Sequence, residues 1–160
     1  GAENGTAYLW SLKGDMMQEF KDYAYIPCVA FSTDGKSVIT AGTDFSITLW
    51  DLQGRQVQKF KGHVSRINAM TFSPDGKYLF SCSADNTAKV WNMKGEIVKE
   101  IKEASNITSI AVSPDGKFFL TGLMNHNVKL WNVPKTLSDF LKSGELDELS
   151  DEQKKLYNTN

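Results

Sequence analysis

The chain has 160 residues, 41% hydrophobic and 23% charged, which is enough for one ordinary domain with an apolar core. Its 18 basic and 19 acidic residues leave a net charge of −1, so neither a basic stripe for nucleic acid nor an acidic solvating tail is expected. No apolar run approaches the roughly 18 residues that suggest a membrane span, and two cysteines are too few for a disulfide framework.

The opening residues, Gly1-Ala2-Glu3-Asn4-Gly5, have neither the basic region nor the apolar core of a signal peptide, so a cytoplasmic location is predicted. Asn4 opens a polar turn, a strand runs into Trp10, and Gly14 turns the chain back into a strand over 16–20. Cys28 aligns with Ala69 and Ser109, and Cys82 aligns with Ala41 and Gly122. Both thiols thus occupy small-residue positions inside strands and are predicted to be reduced packing groups, with a bridge between them as the alternative.

Three turns then recur: Phe31-Ser32-Thr33-Asp34-Gly35-Lys36, Phe72-Ser73-Pro74-Asp75-Gly76-Lys77 and Val112-Ser113-Pro114-Asp115-Gly116-Lys117. Proline presets φ, aspartate caps locally and glycine accepts positive φ, so each reads as a hairpin between short β-rich runs such as 67–72 and 78–82. A polar residue, Asp44, Asp85 or Asn125, precedes strands over 46–50, 87–91 and 127–131. Gly54 and Gly95 open further hairpins into strands over 57–60 and 97–101.

After Trp131 the pattern stops at Pro134, which cannot continue a ladder. Thr136 is followed three residues later by Asp139, and Leu137, Phe140 and Leu141 form an apolar stripe, with Gly144 as a C-cap. Ser150-Asp151-Glu152-Gln153 reads as a capping box for a last helical turn or two through Tyr157. The chain therefore divides into a β-repeat segment, 1–133, and a helical extension, 134–160, that is predicted to lay Leu137, Phe140, Leu141, Leu146 and Leu149 onto the sheets, with a helix for a partner protein or disorder as the alternatives.

The period binds these elements together. Trp10, Trp50, Trp91 and Trp131 lie 40, 41 and 40 residues apart. Four short antiparallel strands per interval is the pattern of a propeller blade. The count is two strands at the start, four and four in the middle and three at the end, about three and a quarter blades. That is too few to close a ring. The expectation is an all-β, incomplete propeller whose ring is closed by further blades of a parent chain or by self-association.

Here the sequence resembles the WD-repeat β-propeller family. Gly62-His63, Ser81, Asp85 and Val90-Trp91-Asn92 fit its motif, and Leu49-Trp50-Asp51 carries its namesake dipeptide. The resemblance implies a buried hydrogen-bond chain of His63, Ser81, Asp85 and Trp91. A hydroxyl ten residues before each tryptophan (Thr40, Ser81, Thr121) favours Ser81 over Ser83 as its member. Where His63 stands, the other repeats have Asp22 or Tyr23 and Glu103 or Ala104. Only the middle blade is therefore expected to have a full network, the outer ones relying on strand pairing and apolar packing. The resemblance also implies a partner-binding rim at Tyr25, Arg66 and Asn106 together with Thr43, Ala84 and Met124.

His63, Ser81 and Asp85 could be read as a hydrolytic triad. The repeat already accounts for all three, and no nucleophile elbow is present. His126 is expected to be a surface turn residue, since no second His or Cys lies at a ligand spacing. No phosphate loop, metal cluster or convergent acid pair is visible, so no catalytic residue, cofactor or metal is assigned. The predicted role is a non-enzymatic protein-interaction scaffold or sensor, with an assembly element as the alternative. The plain Pro-Asp-Gly-Lys turns resemble those of bacterial WD-repeat proteins, in which such arrays often serve as sensor parts of signalling NTPases.

Overall fold

A computed structural model of the chain describes residues 1, 4–22 and 25–134, and the helices predicted after Pro134 lie outside them. Every regular element among the described residues is a β-strand. Strands β1 (Thr6–Trp10) and β2 (Met16–Lys21) form an opening hairpin. The first full sheet contains β3 (Cys28–Phe31), β4 (Ser37–Ala41), β5 (Ile47–Asp51) and β6 (Gln56–Phe60), paired antiparallel in chain order. The second contains β7 (Ile67–Phe72), β8 (Tyr78–Ser83), β9 (Thr87–Asn92) and β10 (Ile97–Lys102), again in order. The last has β11 (Ile107–Val112), β12 (Phe118–Leu123) and β13 (Val128–Asn132). The four sheets make an open array and not a closed ring.

Local chemistry sets the hairpins. In the turn after β7, the Ser73 hydroxyl donates to Asp75 Oδ1 (2.6 Å), which also accepts from Lys77 N (3.1 Å), while Tyr78 N donates to Ser73 Oγ (2.9 Å). The turns at Ser32 and Ser113 repeat this pattern. In the turn after β5, Asp51 Oδ1 accepts from Gln53 N and Arg55 N, and Asn92 does the same after β9. These side chains satisfy turn amides that the ladder cannot reach.

Burial of sheet faces joins the units. Ile39, Ile47, Leu49 and Phe60 of the first sheet pack on Ile67, Phe72, Leu79 and Trp91 of the second. Phe80, Ala88, Val90 and Ile101 then pack on Ile107 and Phe119 of the last sheet. Each inner tryptophan also meets an aromatic of the preceding unit: Phe20 lies 6.1 Å from Trp50, and Phe60 lies 5.9 Å edge-on to Trp91. Such pairs add about 0.5–1.5 kcal/mol each beyond area burial. Trp50 and Trp91 are buried, whereas Trp10, in the opening hairpin, is 57% exposed.

Candidate functional site: a polar network beneath an exposed rim

In the second sheet one polar chain ties together the connection entering the sheet, strands β8 and β9, and the turn between them. The indole N–H of Trp91 donates to Ser81 Oγ at 2.8 Å, and Ser81 Oγ lies 2.8 Å from His63 Nε2. His63 Nδ1 lies 2.8 Å from Asp85 Oδ2, which also accepts from Val64 N at 3.0 Å. Because the indole can only donate, the serine hydroxyl is free to donate to Nε2, and the imidazole then gives its single proton from Nδ1 to the carboxylate. Asp85 Oδ1 accepts from the Thr87 hydroxyl and amide, fixing the turn. Gly62, just before the histidine, leaves room for the indole, since a Cβ there would lie a tight 3.1 Å from Trp91 Cη2.

Burial is the largest influence on both ionisable groups. It pushes His63 below its ordinary range despite the Asp85 partner. It pulls Asp85 upward, but the Thr87, Val64 and His63 hydrogen bonds outweigh it and hold the carboxyl down at about 2. A neutral imidazole against a carboxylate is the resulting state at neutral pH. Ser83 stands outside this chain and braces the turn, its hydroxyl donating to Ser65 O and accepting from Asp85 N.

The first sheet corrects the expectation that only the second carries a full network. In the first sheet Trp50 Nε1 donates to Thr40 Oγ1 (2.9 Å), whose hydroxyl donates to Asp22 Oδ2 (2.9 Å). Lys59, on the fourth strand, lies 3.6 Å from Asp22 Oδ1 and 3.0 Å from Asp44 Oδ2. In the last sheet Trp131 Nε1 donates to Thr121 Oγ1 (2.9 Å), and Lys129 pairs with the nearly buried Glu103 (2.7 Å). A carboxylate can accept from the hydroxyl as an imidazole does, but it carries a charge into the sheet and needs a cation beside it. The sequence signal was an acid, Asp22 or Glu103, at the histidine position; nothing in the sequence marked its lysine partner.

The six rim positions come together in pairs. Thr43 N donates to Tyr25 O (3.0 Å), Ala84 N to Arg66 O (2.9 Å) and Met124 N to Asn106 O (2.9 Å). In each of the three larger sheets, therefore, the strand-entry segment is clipped to the turn between second and third strands at one end. Tyr25, Thr43, Arg66 and Met124 are exposed, and Ala84 and Asn106 are half-buried. Arg66 Nε donates to Asn68 Oδ1 at 3.2 Å, and Asn68 Nδ2 donates to Ile107 O at 2.8 Å. Asn68, which no periodic signal marks in the sequence, thus orients the rim arginine and stitches two inner strands together. His126 is exposed in its turn, and no group of three potential metal ligands occurs among the described residues. Both cysteines are free; burial raises the Cys28 thiol and pushes Cys82 up to about 12.

Stacked antiparallel sheets, three of them keyed by a tryptophan–hydroxyl bond, define a β-propeller repeat protein. The family description "WD domain, G-beta repeat" matches residues 14–51, 54–92 and 95–132, and the chain belongs to this WD40 family. Each matched segment starts at the glycine before a fourth strand and ends in the third strand of the next sheet. One sequence repeat therefore spans two sheets and links neighbours covalently.

Proposed function

We propose that this chain is a non-catalytic interaction platform, a scaffold or sensor module that presents Tyr25, Arg66, Asn106, Thr43, Ala84 and Met124 to a protein or peptide partner. WD40 domains generally bind protein partners, and the observation that carries the assignment to this rim is the repeated backbone clip. Three sheets use the same hydrogen bond to fix two rim segments, so the rim loops meet a partner already ordered and lose little entropy on binding. Tyrosine and arginine are among the side chains that most often dominate interface energetics. A pair of unbridged thiols held protonated by burial fits a reducing compartment such as the cytoplasm. Replacing Tyr25 and Arg66 together by alanine should abolish partner capture while circular dichroism and the thermal midpoint stay unchanged. Undiminished capture refutes the rim.

A second reading, self-association, is favoured by the outer face of the last sheet. Leu120, Val128 and Leu130 are 42%, 68% and 62% exposed, whereas their counterparts Phe80, Ala88 and Val90 are buried under the next sheet.

A further inference from the structure

Left-handed backbone positions are filled differently at the two rims. The hairpins joining first to second and third to fourth strands lie at one end of every sheet. The turns between second and third strands lie at the other, with the strand-entry segments. At the first end each hairpin carries glycine in the left-handed region, as at Gly35 (φ 69°) and Gly54 (φ 79°). At the other end the three turns between paired strands adopt the same conformation with side chains: Phe45 (φ 63°), Asn86 (φ 67°) and His126 (φ 66°). The aligned position before β1 is Gly5 (φ 76°), so the turn itself is satisfied by glycine.

These turns are tight. Phe45 N donates to Gly42 O and Gly42 N to Ser46 O, each at 3.1 Å, and this short hairpin loop favours glycine at its left-handed residue. Asparagine and histidine are enriched in that region, but a bulky phenylalanine is an outlier there. The residue also stays 38% exposed on a polar turn between Asp44 and Ser46. Two costs, backbone strain and apolar exposure, thus fall on one residue, and strain retained at a surface position is a pointer to function. Through the Thr43–Tyr25 clip the same turn is tied to Tyr25, itself 44% exposed.

We infer that Phe45 is an aromatic anchor of partner recognition, taking an aliphatic or aromatic side chain of an extended segment of a partner protein beside Tyr25. The inference rests on the rim reading above and adds a position that the six rim residues omit. An exposed aromatic with few rotatable bonds is suited to this, because it offers contact area at low entropic cost.

The test selects linear peptides from a displayed random library against the immobilised full chain, then titrates them by fluorescence polarisation. The variants are Phe45→Asn, Phe45→Gly, Phe45→Tyr, Tyr25→Ala and Arg66→Ala. The enriched peptides should carry an apolar anchor. Phe45→Asn and Phe45→Gly should weaken them at least about tenfold, as expected for a hot-spot residue, whereas Phe45→Tyr should preserve binding. The thermal midpoint of Phe45→Asn should hold or rise by about 2–4 °C as the strain is relieved. A fall in that midpoint would make Phe45 a packing residue and overturn the inference. Peptides weakened by Tyr25→Ala and Arg66→Ala but not by Phe45→Asn refute it while leaving the rim reading intact. Peptides indifferent to all these changes, or no enrichment at all, refute both.

Discussion

Ser81 shows how much one hydroxyl can hold. It accepts from the Trp91 indole and contacts His63 Nε2, with no exposure to water. Ser81→Ala leaves two buried polar groups without a partner and should cost about 2–3 kcal/mol, read as a lower urea midpoint. In a double-mutant cycle, adding Trp91→Phe should cost less than the two separate losses combined, because they share one bond. His63 sets the pH response. Its proton affinity is depressed in the fold, so the unfolded chain binds the proton first as pH drops below the ordinary value of 6.5. Stability should therefore decline from pH 7 to 5, and His63→Gln should flatten that slope in a series of thermal melts. Asp85 acts lower: its contribution is complete above its ordinary value of 3.8 and is lost as pH falls through about 2. Neither residue is poised for chemistry, since each is consumed by partners within the sheet.

At the scale of the element, the sheets solve one problem with different residues. A tryptophan N–H inside a sheet needs an acceptor, and the three larger sheets provide a hydroxyl ten residues upstream. What stands behind the hydroxyl differs. His63 needs no cation, whereas Asp22, which accepts from Thr40, brings charge and draws in Lys59; the last sheet carries a Lys129–Glu103 ion pair in addition to its Trp131–Thr121 bond. Burial opposes the charge on Lys59, but Asp44 and Asp22 outweigh it and hold the ammonium above its ordinary range. Lys59→Met should therefore cost about 2 kcal/mol by leaving facing carboxylates uncompensated, and Asp22→Asn should restore part of the loss. Lys77→Met, at an exposed ion pair with Asp75, should change the same urea midpoint by under about 0.5 kcal/mol. The hydroxyl rule and the His63 motif were legible in the sequence because both sit at a fixed distance from tryptophan. Lys59 was not legible as a network member, because its partners belong to the preceding connection and to a turn, and only strand pairing brings them within reach.

For the whole molecule, the interface between sheets is one pattern used repeatedly: a face of β-branched and aromatic residues meeting the tryptophan-bearing face of the next sheet. The outer face of β12 and β13 carries the same chemistry in the open. If it mediates self-association, Leu130→Lys should abolish any concentration dependence of the sedimentation coefficient while leaving the monomer folded. The matched substitution Val90→Lys, in a covered face, should unfold the array instead. A wild-type coefficient that does not change with concentration removes the assembly reading and leaves the rim as the working surface.

By itself the sequence determined the repeat, the strand count and which strands pair. Tryptophan spacing, turn residues and alternation are local signals, and a four-stranded antiparallel sheet is built from neighbours in sequence. Only the tertiary structure decided which side chain stands opposite which charge, as with Asp22, Lys59 and Asp44. It also decided which apolar faces are covered and where the backbone is strained beneath a side chain, as at Phe45. Those properties depend on distances between segments and on φ at single residues, and a one-dimensional pattern carries neither.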